Sequence, residues 1–154
     1  RDRSPSRGLG DVYKRQTFYN ALTAGSGGSL VMSDLPLTRA VLQDCADKVT
    51  AVTISGGVLT LDYTQGPYFT CPNNANITSF AISNWPPTGT MGSVVLIITG
   101  NGSAKTQSWG SAVKWPGGTA PTLTSTNGKR DYIVFSSSDA GTTVDASRVR
   151  TNVG

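Results

Sequence analysis

Acid–base chemistry in this chain would have to rest on aspartate. All nine acidic residues are Asp, and the sequence holds neither Glu nor His. Without an imidazole, a serine or cysteine nucleophile lacks its usual base. A two-carboxylate mechanism would need a pair such as Asp44 and Asp47. These sit beside a surface turn, where two solvated groups are the simpler reading. Asp139 lies in a Ser/Gly turn whose Asx hydrogen bonds account for it. No carboxylate cluster has the density of a calcium site, and no glycine loop opens a helix as a phosphate cradle does. Cys45 and Cys71 have no metal-ligand spacing around them; a disulfide and two free thiols both remain open. Asn76-Ile77-Thr78 and Asn101-Gly102-Ser103 match glycosylation acceptors, triplets that arise by chance in a chain so rich in Asn, Ser and Thr. The expectation is a non-catalytic protein with no metal and no cofactor.

Binding residues are easier to nominate. The stretch WGSAVKWPGGTAPTLTST (109–126) sets Trp109 and Trp115 on either side of a short Ala-Val-Lys run. Proline fixes φ and glycine reaches positive φ, so Trp115-Pro116-Gly117-Gly118 predicts a rigid turn between extended segments. The simplest reading is a loop with a buried aromatic anchor at each end. Candidate binding loops are the tips at Trp85 and Asn101. For Trp85 a core plug beside Pro86 and Pro87 is the simpler reading.

The elements that must position these residues begin after an unusual start. Residues 1–16, RDRSPSRGLGDVYKRQ, resemble a translated sequencing adapter, with no apolar core of a signal peptide and no amphipathic period. They are expected to be disordered and to lie outside the fold. Without Arg1, Arg3, Arg7, Lys14, Arg15, Asp2 and Asp11, the charge count falls from 13 against 9 to 8 against 7, and the net charge from +4 to +1. What remains basic, Lys129-Arg130 and Arg148 with Arg150, is too little to track a phosphate backbone. Nucleic acid is not an expected partner. The apolar run Val94-Val95-Leu96-Ile97-Ile98 is far short of the roughly 20 residues that span a bilayer as a helix, so no membrane insertion is expected.

Residues 17–154 amount to one domain. Missing Glu and scarce Lys disfavour helices, while abundant Thr and Val with Gly/Pro punctuation favour short strands. Residues 17–47 read as a Gly-rich lead-in, extended or briefly helical over 37–47, where Leu37, Val41 and Cys45 recur every four residues. A β domain is expected over 48–146, with a C-terminal tail at 147–154. Within it, 49–55 and 58–64 alternate on either side of a Gly56-Gly57 hairpin turn. Further strands are expected at 68–71, 76–83, 93–99, 105–109 and 130–136, with turns at Pro72-Asn73-Asn74, Gly100-Asn101-Gly102 and Asp139-Ala140-Gly141. Apolar residues on both faces of 93–99 predict a central strand, or one covered by another subunit. Eight to ten short strands at this spacing predict an all-β fold, an antiparallel, jelly-roll-like sandwich.

One further signal comes from ordered motifs. Val113 to Thr124, V-K-W-P-G-G-T-A-P-T-L-T, resembles a recurring domain of bacteriophage tail fibres and related virion proteins. So do L-T-R-A-V-L-Q-D (37–44), L-T-L-D (59–62), I-S-N-W-P-P-T-G-T (82–90) and R-D-Y-I-V-F with D-A-G-T-T (130–143). The likeness covers about residues 35 to 144. Gly110 stands where that family usually has Pro, and Val144-Asp145 replaces its usual W-Y. The resemblance implies a virion structural protein in the phage tail, extracellular after host lysis. It also implies a homotrimer that meets other tail proteins and a glycan or protein receptor on the host. A carbohydrate-binding β-sandwich of a secreted bacterial protein is the alternative. An exposed, coplanar aromatic pair on a monomer would favour that alternative; a hydrophobic fibre-like interface would favour the first.

Overall fold

A computed structural model of the chain describes residues 46–154. The expectations for residues 1–16, for the lead-in through residue 45 and for Cys45 lie outside the described residues. Ala46 and Asp47, the described part of the proposed helical stretch, are irregular.

The described residues are all-β. Eight strands follow in order: β1 (Val49–Ala51), β2 (Val58–Asp62), β3 (Tyr68–Asn73), β4 (Ser79–Ser83), β5 (Gly92–Gly100), β6 (Val113–Lys114), β7 (Arg130–Ser137) and β8 (Val144–Val153). Six form one sheet in the order β1-β3-β5-β7-β8-β6, and β2 pairs with β4 alone. The expectation that the strands pair antiparallel is corrected here. Four of the six ladders are parallel, and only β5–β7 and β7–β8 are antiparallel.

The reason lies in the turns. Gly56 and Gly57 do make a tight two-residue turn, closed by the reciprocal bonds between Ser55 and Val58 at 3.0 and 2.9 Å. It joins two sheets, however, and not two neighbouring strands. Leu59 and Leu61 are wholly buried and join the core from β2, which pairs with β4 outside the large sheet. The chain then returns as β3 beside β1, crosses again as β4 beside β2, and returns as β5 beside β3. Strands that come back after a crossover run parallel. Beyond β5 the chain stays in the large sheet, and β7 and β8 pair in meander fashion.

Three further expectations change. Pro72-Asn73 continues β3 and makes no turn there. Val52 N–H binds the Thr70 carbonyl, and main-chain direction alternates, so Pro72 points its missing donor past the end of β1. Residues 105–109 do not return as a strand. The polar run Lys105-Thr106-Gln107-Ser108 has no inward apolar set, and the place beside β5 goes to β7, whose Ile133 and Phe135 are fully buried. Finally, β8 runs through Val153, so residues expected as a tail are sheet. Two register shifts against β7 bend it, and Val149 at one of them is left exposed.

One core serves both sheets. Its members include Leu59 and Leu61 of β2, Phe80 of β4, Phe69 and Cys71 of β3, Leu96 and Ile98 of β5, Phe135 of β7 and Val144 of β8. The expectation that 93–99 forms a central strand holds: β5 is third of six, with Val94, Leu96 and Ile98 facing the core.

Candidate functional site

The segment between the tryptophans is built around the core, as its spacing suggests. Trp109 is buried and stacks edge-on to Phe80 at 5.1 Å and to Trp115 at 5.5 Å. Phe135 lies 5.8 Å from Trp109 and 6.1 Å from Trp115, closing the cluster. Between the two indoles, β6 adds to the edge of β8 through Val144 N–H to the Ala112 carbonyl at 2.9 Å. Trp115-Pro116-Gly117-Gly118 then turns in a 3₁₀ bend, with Gly117 and Gly118 at φ 67° and 74°. Among the described residues, the buried Trp109 indole N–H has no hydrogen-bond partner.

Trp85 is half-buried and held on several sides. Tyr63 packs on it at 5.6 Å with the rings tilted by 32°. Gly92 and Gly141 sit so close to the indole that a Cβ on either would fall inside contact distance. The loop after Trp85 is tied to the β7–β8 turn by Gly89 N–H to the Ser138 carbonyl at 2.9 Å. In that turn the Asp139 carboxylate accepts from Thr143 N–H at 2.9 Å and from the Ser137 hydroxyl at 2.8 Å. Asp139 thus binds within its own turn, but four residues on and not the two of an Asx turn, since Gly141 N–H goes to the Ser137 hydroxyl at 2.9 Å. A cleft of about 330 Å³ lies between β4 and residues 110–113, lined by Ile82, Trp85, Trp109, Ala112 and Gly141.

Asn101 sits elsewhere. Trp85 packs at Gly92, where β5 begins, and Asn101 follows Gly100, where it ends. At the usual strand rise the two lie about 26 Å apart along the sheet, so they do not form one site. Asn101 is exposed, and its side-chain oxygen accepts from Ser103 N–H at 3.2 Å.

Sequence reasoning missed two features. The first is a shelf of about 410 Å³ beside Trp115 and Pro116, where apolar Val134 and Ala146 lie among Lys114, Ser136, Asp145 and Ser147. It arises because β6 ends after Lys114 while β8 runs on. The second is Asp131, whose carboxylate is buried. It accepts from Thr124 N–H and the Thr124 hydroxyl, both at 2.7 Å, and from Asn152 N–H at 2.9 Å; Arg148 stands 3.6 Å away. The signal was available: Asp131 shares its strand parity with Ile133 and Phe135, which places it inward.

The electrostatics fit a structural role for these carboxylates. Burial pushes the Asp131 carboxyl upward, but hydrogen bonds from Thr124 and Asn152 outweigh it and hold it below its ordinary range. Asp139 is lowered by Thr143 N–H and the Ser137 hydroxyl. Asp62 is lowered by the Asn84 amide, 2.9 Å away, and by Thr64. Burial raises the Cys71 thiol to about 11, which leaves it protonated and unreactive at neutral pH. Among the described residues no cluster of three or more Cys or Asp could hold a metal ion. No protein-family model, curated protein or solved structure matches the chain.

Proposed function

We propose that this chain is a virion structural protein, a bacteriophage tail-fibre domain that contributes to host attachment through assembly and avidity. The observation that carries this reading is the outer face of the six-stranded sheet. Opposite the core, Val95 pairs with Tyr68 and Val134, and Ile97 pairs with Thr70 and Tyr132. These residues are half-buried, and exposed Val49 lies at the end of the same row beside Tyr68. A row of aromatic and β-branched side chains across β1, β3, β5 and β7 is what a symmetric assembly would cover. Within this reading the two sheets are the layers of a sandwich, a view supported by Phe80 of β4 lying 5.0 Å from Phe135 of β7. The motif resemblance over 35–144 supplies the virion context.

The test is the solution mass of the chain by light scattering after size exclusion. Three copies per particle are expected, with Ile97→Lys giving a folded monomer. A wild-type monomer at all accessible concentrations would overturn self-assembly as the role of this face.

A carbohydrate-binding module is the second reading, and the shelf at Trp115, an indole with Lys114, Ser136, Asp145 and Ser147 around it, is its support. Against it, Trp109 and Trp115 meet at 62°, and Trp109 is buried, so the pair offers no flat exposed platform. Titration with a saccharide panel followed by tryptophan fluorescence discriminates the two: saturable quenching lost in Trp115→Ala favours this reading.

A further inference from the structure

The geometry points to a pair of mutually guarded deamidation sites, Asn101-Gly102 and Asn127-Gly128, at the end of the sheet far from Trp85. These are the two places in the chain where glycine follows asparagine. Both asparagines are exposed. In such a dipeptide the glycine nitrogen, unhindered by a side chain, can attack the preceding Asn carboxamide carbon. A C–N bond forms, ammonia leaves with the nitrogen's proton, and a five-membered succinimide results. Water then adds to either imide carbonyl and opens the ring to aspartate or isoaspartate. The net change is amide plus water to acid plus ammonia, with no other reactant.

The fold places each attacking nitrogen in the other loop's grip. Gly102 N–H donates to the Ser125 carbonyl at 2.8 Å, and Gly128 N–H donates to the Gly100 carbonyl at 3.0 Å. Each loop therefore supplies the acceptor that occupies the other loop's nucleophile. Gly100 N–H completes the lock by donating to the Lys129 carbonyl at 2.8 Å. The loops are also in close backbone contact. A Cβ at Gly100 would collide with the Thr126 and Thr124 carbonyl oxygens, and a Cβ at Gly102 would lie 3.8 Å from Asn127 Cβ.

Two consequences follow. While the loops are closed, neither nitrogen is free to attack, so deamidation proceeds through local opening. Once Asn127 has reacted, the succinimide nitrogen carries no hydrogen, and the bond from Gly128 to Gly100 is lost. Isoaspartate then adds a methylene to the main chain at the same place. Either change loosens the loop that holds Gly102, so the first conversion hastens the second. Each conversion adds a negative charge beside Lys129 and Arg130, making the pair a slow, irreversible recorder of loop opening.

The experiment incubates the full chain at mildly alkaline pH, folded and in urea, and quantifies aspartate and isoaspartate at both positions by peptide mapping. Conversion in the folded protein is expected to be slower by about tenfold or more at both sites. Intact mass is expected to show doubly converted molecules in excess of the product of the single frequencies. Gly100→Ala, which forces the loops apart, is expected to raise conversion at both positions, with circular dichroism reporting that the sheet persists. Equal rates in folded and urea-treated wild type would overturn the guard, whatever the variant does. Statistically independent conversion would overturn the coupling.

Discussion

The two ends of β5 are held by different physics. At the Gly92 end the clamp is mostly carbon: Trp85 lies against Tyr63, with Gly92 and Gly141 pressed to the indole. At the Gly100 end the clamp is polar. Main-chain bonds lock residues 100–102 to 125–129, and buried Asp131 gathers Thr124, Asn152 and Arg148. Carbon packing is non-directional and tolerates shifts in partner, whereas a buried carboxylate is stable only while every donor stays in place. The comparison teaches where substitution is forgiving. It also shows why an exposed loop tip is not by itself a binding site, since Asn101 is committed to the polar clamp's geometry.

The largest expected effect falls between the ends, where both clamps share a core. Phe135→Ala removes the ring that Phe80, Trp109 and Trp115 all meet, and is expected to destabilise the chain by about 3–5 kcal/mol in urea unfolding. At the polar end, Asp131→Ala strands the Thr124 and Asn152 donors and takes the carboxylate from beside Arg148, which keeps its bond to the Thr122 carbonyl; the expected loss is about 3 kcal/mol. At the carbon end, Gly141→Ala sets a methyl against Trp85 at a positive φ, for about 1–3 kcal/mol. Gly117→Ala is the control for that comparison. It has the same sign of φ with open space around it, so about 1 kcal/mol is expected from backbone strain alone.

Acid sharpens the contrast further. Asp62, Asp131 and Asp139 are all held below their ordinary range when folded. Groups lowered on folding stabilise the fold fully above the unfolded aspartate range, and that contribution is lost as pH falls through the lowered folded values. Stability measured by thermal melting should therefore change little from neutral pH down to the ordinary carboxylate range and fall below it. Asp131→Asn should flatten that acid slope more than Asp62→Asn, whose carboxylate is exposed to solvent.

Much of this was legible before the structure. Alternation placed a strand at 58–64 because a half-buried sheet face repeats every second residue, and unbroken apolar runs placed those at 93–99 and 130–136. Parity set Leu59 and Leu61 on one face, and both are buried. What alternation cannot say is which strand lies beside which. Gly56-Gly57 has the local geometry of a hairpin turn, yet serves as a corner between sheets, because Leu59 and Leu61 gain more by burial from the opposite side. Pairing is decided by such long-range packing, so the antiparallel expectation failed while the strands at 58–64, 68–71, 93–99 and 130–136 were found near their expected places. Pro72 misled for a related reason: a proline in a strand is tolerated wherever the neighbouring strand has already ended. For the candidate site, the two anchoring tryptophans were readable from their spacing. The distance between Trp85 and Asn101 was not, since it depends on their falling at opposite ends of one strand.

The proposal stands on the outer face of the large sheet, and carbene footprinting of the chain at low and high concentration tests it most directly. Val95, Ile97, Tyr132 and Val134 should lose label as concentration rises, while exposed Met91, outside the row, stays labelled. Equal labelling of that row at both concentrations would contradict assembly through this face.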